Sequence, residues 1–214
     1  MNKNIIAIDI ETVPRPGIMD TWYPQWAAGK YPGKEGEDLE AMAALYPEFG
    51  QICCVCWGEV DDLCLRKPGT VYGFVARDEA AENQALVSLA EMLKDPSVTL
   101  IGHNIKGFDI PFLIKRYLYH GLEVPQGLRL LGKKPWEIPH LDTMELMRFG
   151  SSNMSLRSAA MLLGEKDPKG NCDGVKVWDL WRQGKMSEIR DYCSGDVRAV
   201  AAIYYALHRF TGLD

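Results

Sequence analysis

Short apolar runs alternate along the chain with segments rich in proline, glycine and charged residues. The run from Asn4 to Ile10 is apolar on both faces, which is typical of a central strand covered on two sides. Two β-like runs, Gln51 to Glu59 and about Asp62 to Val75, meet at an acidic turn and predict an antiparallel hairpin or meander. Thr99 to Gly102 predicts a further short strand.

Helical patterns dominate the second half of the chain. One helix begins near Asp78 and ends before Pro96, because apolar residues recur on one side between these two signals. Further helices are predicted over Ile110 to His120, Ser155 to Gly164 and about Ser187 to Phe210. This order of strands and helices predicts an α/β protein with a mixed sheet and helices on both of its faces.

Residues 13–50 interrupt this pattern. Their prolines and glycines favour an irregular insertion over one edge of the core, apart from a helix around Asp38 to Leu45. A chain of 214 residues is long enough to bury a full core, and we expect one domain over residues 1–214.

The composition is that of a globular protein, with 47% hydrophobic and 25% charged residues. No apolar run approaches the roughly 18 residues of a membrane helix and no basic-then-apolar leader occurs, so we expect a cytoplasmic protein. The six cysteines lack the paired spacing of a zinc site or a disulfide framework, and we interpret them as small buried hydrophobic residues.

The net charge of −5 argues against binding nucleic acid by bulk electrostatics, because phosphate binding usually leaves a basic footprint. The charge is unevenly distributed. Residues 1–100 contain 8 Lys+Arg and 16 Asp+Glu, a net −8, whereas residues 101–214 contain 16 and 13, a net +3. The second half of the chain could therefore still form a basic surface that binds nucleic acid. Bound divalent cations would also offset the negative charge of several carboxylates.

Asp9 and Glu11 end the first predicted strand and, being two residues apart, project from the same face. Two buried like charges repel each other unless a cation lies between them. A solvated turn or a helix cap is the more frequent explanation of such a pair, so the pair alone does not establish a metal site.

Three other polar residues lie at positions where their side chains need a hydrogen-bonding or charged partner. Asp109 stands at the start of a predicted helix, where it would also serve as a simple N-cap. In the final helix Tyr192 and Asp196 are four residues apart and share one face, adjacent to an apolar stripe. Gly195 costs about 1 kcal/mol inside a helix relative to alanine, which is explained if something approaches the backbone closely.

Taken together, three segments resemble the exonuclease motifs of the DEDD superfamily of 3′-to-5′ exonucleases. They are Asp9-Ile-Glu11-Thr12, Asn104-x-x-x-Phe108-Asp109 and Tyr192-Cys-x-x-Asp196. The chain looks most like the proofreading domain of family B DNA polymerases, as a stand-alone protein, from Ile5 to about Leu207. The histidine subtype places its histidine five residues before the last aspartate, where Asp191 stands here. Tyr192, four residues before, resembles the tyrosine subtype, DEDDy.

The resemblance implies a ribonuclease H-like α/β fold with a mixed five-stranded sheet. It also implies hydrolysis at the 3′ end of single-stranded DNA by two divalent cations, Mg²⁺ or Mn²⁺, with release of nucleoside monophosphates. Asp9 would bridge both cations, Glu11 and Asp196 would bind the cation that activates water, and Asp109 would hold the other through water. Tyr192 would orient the attacking water.

Substrate contacts are implied at positions within the same motifs. Thr12, Asn104 and Phe108 match positions that contact the terminal nucleotide, Phe108 by stacking, although a core position explains Phe108 equally well. Lys106 would meet a phosphate, or else belong to a solvated face. The expected partners are the 3′ ends of single-stranded nucleic acid. DNA is preferred, and the alternatives are an RNA-trimming exoribonuclease and a non-catalytic nucleic-acid-binding module.

Overall fold

A mixed sheet of five strands organises the residues that the computed structural model describes, 4–61, 69–150, 152–164 and 174–211. The strands are β1 (Ile5–Pro14), β2 (Gly50–Glu59), β3 (Tyr72–Val75), β4 (Thr99–Gly102) and β5 (Leu141–Asp142). They lie in the order β3-β2-β1-β4-β5, where β2 is antiparallel to β1 and β3, and β4 is parallel to β1 and β5. The predicted mixed five-stranded sheet is confirmed.

Helices cover both faces of this sheet, as predicted. Their bounds are α1 (Tyr23–Lys30), α2 (Gly36–Ala41), α3 (Glu79–Met92), α4 (Asp109–Tyr119), α5 (Thr143–Arg148), α6 (Leu156–Leu162), α7 (Gly174–Arg182) and α8 (Met186–Thr211). Ile6, Ile8 and Ile10 of β1 pack with α3 and α4, whereas Ala7 packs with α6, α7 and α8. The alternation of side chains along β1 therefore fills two separate cores. Within the described residues, none of the helices has the length and apolar character that a membrane crossing requires.

β1 is longer than predicted. It reaches Pro14 because β2 pairs with it along its length, with a register shift between Glu11 and Thr12. Asp9 and Glu11 therefore lie inside the strand, and the expectation that they end it is wrong. β4 pairs only with Ile5 to Ala7, so the following residues of β1 have no strand beside them on that side in the described part of the chain.

Residues 13–50 are more regular than the predicted irregular insertion. α1 was missed because its proline and glycine count against a helix, but Pro24 lies in the first turn, where a missing N–H costs little. α2 and the 3-10 turn Met42–Leu45 confirm the helix expected around Asp38 to Leu45. The segment has a small core of its own, formed by Ile18, Tyr23, Ala27, Leu39, Ala43 and Phe49. Its 3-10 turn contacts β1 and β2, so the segment forms an ordered wall beside the central strand.

The predicted helix starts are confirmed where a side chain caps them. Asp78 Oδ1 accepts a hydrogen bond from Ala81 N–H at 2.8 Å, and Ser155 Oγ accepts one from Ser158 N–H at 3.1 Å. The β-like run ending at Val75 is confirmed only over β3, and residues 62–68 lie outside the described residues. α5 and α7 were not predicted, because 6 and 9 residues hardly establish a helical period.

Candidate active site

Asp9 and Glu11 lie side by side on the face of β1 that α8 covers. Their carboxylate oxygens and the Sγ of Cys193 lie within 4.8 Å of one another. Asp9 Oδ2 is buried and has no hydrogen-bond partner among the described residues. The two carboxylates thus share one face, as their spacing predicts, and a thiol that was not predicted lies beside them.

Asp109 reaches the same cluster from the first position of α4, where it is 5% exposed. Its Oδ1 accepts a hydrogen bond from the backbone N–H of Ile10 at 3.1 Å. That N–H is available because β4 stops pairing with β1 at Ala7. The N-cap position belongs to Phe108, so the interpretation of Asp109 as a simple cap is wrong. Its carboxylate binds the central strand instead.

α8 supplies Tyr192 and Asp196, four residues apart and therefore on one face of the helix. Both side chains are buried, at 7% and 4% exposed, where α8 packs on β1 and β2. Cys193 Sγ donates to the backbone carbonyl of Asp9 at 3.4 Å, which fixes the helix against the strand. The fold thus brings together the four predicted carboxylates, with Tyr192 on the same helix face as Asp196.

Burial and repulsion between neighbouring carboxylates favour the protonated forms of Asp9 and Asp109. Burial raises the pKa of Asp9 well above its ordinary value, and the three neighbouring carboxylates of the cluster raise it further. Burial also raises the pKa of Asp109 to about 7, although the hydrogen bond from Ile10 acts in the opposite direction. A bound cation would stabilise the ionised forms, because it replaces repulsion with attraction.

The residues predicted to touch substrate have different surroundings. The Thr12 hydroxyl donates to the carbonyl of Ala44 at 2.7 Å and so holds the 3-10 turn against β1. Asn104 adopts a left-handed backbone conformation, with φ of 64°, in the turn before α4. Lys106 Nζ forms an ion pair with Glu145 Oε2 at 2.7 Å. The side chains of Thr12 and Lys106 thus make contacts within the protein, Asn104 shapes the turn through its backbone, and contact with substrate stays a prediction for all three.

Phe108 borders a pocket of about 320 Å³ beside Glu11. The lining residues are Ile10, Glu11, Thr12, Ala41, Met42, Ala44, Leu45, Phe108 and Trp178. Trp178 was missed because α7 was not predicted, although a tryptophan is a common stacking surface for bases. Its Nε1 is buried without a hydrogen-bond partner among the described residues.

Asp142, at the end of β5, organises the turn that precedes α4. Its Oδ1 accepts hydrogen bonds from the N–H groups of Asn104 at 2.9 Å and Met144 at 3.0 Å, and its Oδ2 accepts one from Lys106 N–H at 3.1 Å. A Cβ at Gly107 would lie 2.5 Å from Asn104 Oδ1, so a larger residue there would have to displace the Asn104 amide. Asp142 was not predicted to be functional, because α5, the helix that it caps, was not predicted either.

Solved structures with a similar fold include a DNA polymerase and an exonuclease. The family B DNA polymerase of the archaeon Pyrobaculum calidifontis gives a TM-score of 0.59 at 17% identity, over 95% of this chain and 24% of that chain. E. coli exonuclease I in complex with a dT13 oligonucleotide gives 0.52 at 10% identity, over 95% and 40%. The zinc-bound form of the exonuclease I–single-stranded DNA complex gives 0.52 at 9% identity, over 97% and 41%.

These likenesses confirm the predicted ribonuclease H-like fold. The chain spans a quarter to two fifths of the proteins that it resembles. No curated protein sequence matches it.

The family comparison covers most of the chain. Residues 45–213 match the family described as a predicted 3′-5′ exonuclease related to the exonuclease domain of PolB. This range contains Asp109, Tyr192 and Asp196, and the fold places Asp9 of the preceding segment close to Glu11, Asp109 and Asp196. The chain therefore belongs to the family of predicted 3′-5′ exonucleases related to the exonuclease domain of PolB.

Proposed function

We propose that the protein releases nucleoside monophosphates from the 3′ end of single-stranded DNA by metal-dependent hydrolysis, as a tyrosine-type DEDD exonuclease. The observation that carries this proposal is the convergence of carboxylates from β1, α4 and α8 on one buried region. Carboxylates that raise the pKa of a neighbour are costly in a fold unless cations offset them.

The donor atoms fit two divalent cations such as Mg²⁺ or Mn²⁺. Carboxylate oxygens are hard ligands of the kind these ions prefer. Asp9 Oδ2, which has no hydrogen-bond partner in the described part of the chain, is a ligand atom that a cation would satisfy. Asp9 would contact both ions, Glu11 and Asp196 one of them, and Asp109 the other. Bound there, the ions would stabilise the charge that develops on the attacking and leaving oxygens.

Tyr192 would position the attacking water through its hydroxyl, which both donates and accepts hydrogen bonds. Asp109 is oriented by the N–H of Ile10, the residue between Asp9 and Glu11. One strand therefore sets the relative positions of three of the carboxylates.

The pocket beside Glu11 would receive the terminal nucleotide. Phe108 and Trp178 offer aromatic surface on which a base would stack, an interaction worth about 1–3 kcal/mol. Support for single-stranded DNA comes from E. coli exonuclease I, whose solved complex contains dT13. Because the chain carries a net charge of −5, the bound cations would supply much of the attraction for phosphate.

Replacement of Asp9 by alanine tests the catalytic assignment. With 5′-labelled single-stranded DNA and Mn²⁺, we expect Asp9→Ala to slow shortening of the strand by at least about 10²-fold, because a ligand shared by both cations is lost. Circular dichroism should show an intact fold. Glu91→Ala, which removes a largely exposed carboxylate on α3, is the matched control and should retain full activity. Undiminished activity in Asp9→Ala would contradict the proposal.

The choice of DNA over RNA has its own test. Labelled single-stranded DNA and RNA of the same sequence are digested in parallel, and we expect the DNA to shorten faster. Faster loss of the RNA would contradict the DNA assignment and favour the RNA-trimming alternative, because discrimination depends on the shape of the pocket around the 2′ position.

A further inference from the structure

Three cysteine side chains meet beneath α8, next to the carboxylate cluster. Cys54 and Cys56 are two residues apart on β2 and so share one face, and Cys193 approaches them from α8. All three are buried, as predicted, and their Sγ atoms lie within 4.8 Å of one another. The proposed exonuclease chemistry makes no use of these thiols.

The spacing of the sulphur atoms matches that of thiolate ligands around one ion. Cys54 Sγ and Cys56 Sγ are 3.8 Å apart. Two sulphurs that bind one tetrahedral zinc ion, each at ~2.3 Å, lie about 3.8 Å apart. Only small side-chain movements are needed for an ion of that size to contact this pair, and Cys193 is within reach as a third ligand.

Cys56 has a glycine on one side and a polar side chain on the other. Gly73 of β3 lies opposite Cys56, and a Cβ at that position would lie 2.7 Å from the Cys56 Sγ. On the other side, Ser194 Oγ lies 3.5 Å from the same sulphur. Ser194 also lines a surface pocket of about 520 Å³, so a polar side chain that borders solvent lies beside the Cys56 thiol.

We propose that Cys54, Cys56 and Cys193 bind one zinc ion at a site separate from the carboxylates. Soft thiolates select zinc, whereas the hard carboxylate oxygens select Mg²⁺ or Mn²⁺, so two adjoining sites take different metals. The thiol protons pass to solvent as the ion binds. Zinc binding does not depend on cleavage of nucleic acid, so this proposal is independent of the proposed function.

Titration of the reduced chain of residues 1–214 with Cd²⁺ in excess Mg²⁺ tests the site. Cd²⁺ bound to thiolates absorbs in the ultraviolet, and Cd²⁺ bound to carboxylates does not. We expect saturation at one equivalent, and Cys56→Ser should weaken binding at least about tenfold. Cys53→Ser is the matched control, because Cys53 is buried on β2 outside the trio, and it should bind like the wild type. Absence of absorption, or equal affinities in the two variants, would overturn the proposal.

A second measurement separates this site from the group formed by Asp9, Glu11 and Cys193, whose ligand atoms also lie within 4.8 Å of one another. X-ray absorption at the zinc edge of the wild-type protein should show three sulphurs at about 2.3 Å. One sulphur with oxygen neighbours would place the ion at the carboxylates and overturn the proposal. The spectrum should persist when Cys64→Ser and Cys172→Ser remove the cysteines outside the described residues, and its loss would also overturn it.

Discussion

The folded surroundings of Asp109 change the pH at which its carboxyl group loses its proton. Its carboxylate is buried, accepts the Ile10 N–H and has a pKa raised to about 7 from 3.8. In the unfolded chain the same group ionises near its ordinary value. Without metal, folding therefore favours the protonated carboxyl. The stability that it contributes is fully present below about pH 3.8 and is lost as the pH rises through 7.

This linkage predicts how pH changes the melting temperature. With divalent cations removed by a chelator, we expect the melting temperature of the wild type to fall between pH 5 and 8. The fall should be smaller in Asp109→Asn, because the asparagine side chain cannot ionise. Saturating Mn²⁺ should reduce the fall in the wild type, because the cation stabilises the ionised form. Melting curves by circular dichroism provide the measurement. Identical pH profiles for the two proteins would show that Asp109 does not titrate in this range.

Tyr192 offers a second prediction at this scale. Tyr192→Phe removes the hydroxyl and keeps the ring that packs in the core under α8. We expect turnover to fall by roughly 10- to 10²-fold, at the low end of what a positioned proton-transfer group contributes and less than for Asp9→Ala, with little change in melting temperature. Turnover with Mn²⁺ on single-stranded DNA is the readout. Wild-type turnover would mean that Tyr192 serves packing alone.

At the scale of elements, α4 presents Asp109 and is held in place by a buried ion pair. Arg116 on α4 and Glu82 on α3 are both 0% exposed and are joined by bonds of 2.6 and 2.8 Å. Glu82 Oε1 also accepts the N–H of Ile52 on β2 at 2.8 Å. One carboxylate therefore joins two helices and a strand behind the site.

Removal of this carboxylate should destabilise the fold strongly. We expect Glu82→Ala to lower the free energy of unfolding by about 3–5 kcal/mol, because the guanidinium of Arg116 is left buried without its counter-charge. Urea denaturation at pH 7 measures the effect. Glu91→Ala breaks the exposed pair with Lys94 and should cost no more than about 1 kcal/mol. Similar losses in both variants would show that burial of the pair has no special effect.

Across the whole molecule, the grouping of the four carboxylates could be predicted from sequence and their surroundings could not. The spacing of Asp9 and Glu11, and of Tyr192 and Asp196, follows from the period of a single strand or helix. The long apolar and helical patterns likewise predicted the mixed sheet and the long helix α8.

What could not be predicted depends on contacts between distant segments. Cys56 contacts Arg190 and Ser194 of α8, which lie 134 and 138 residues further along the chain. A local sequence pattern carries no information about contacts at that separation, so the grouping of Cys54 and Cys56 with Cys193 could not be predicted. The Thr12 hydroxyl donates its hydrogen bond to the carbonyl of Ala44, 32 residues away. Trp178 lies on a helix too short for its period to be recognised. Local periodicity reports which face a side chain occupies, and not what lies across from it.

The short reach of β4 along β1 has a consequence for solubility. Past Ala7, that side of β1 would present open backbone amides, and an open strand edge is a template on which a second chain can add by intermolecular pairing. Asp109 covers this edge by accepting the Ile10 N–H. The same carboxyl group that is proposed to hold a cation thus also occupies a backbone donor of the central strand before any metal binds, and a carbonyl oxygen of the protonated form accepts that N–H as an ionised oxygen does.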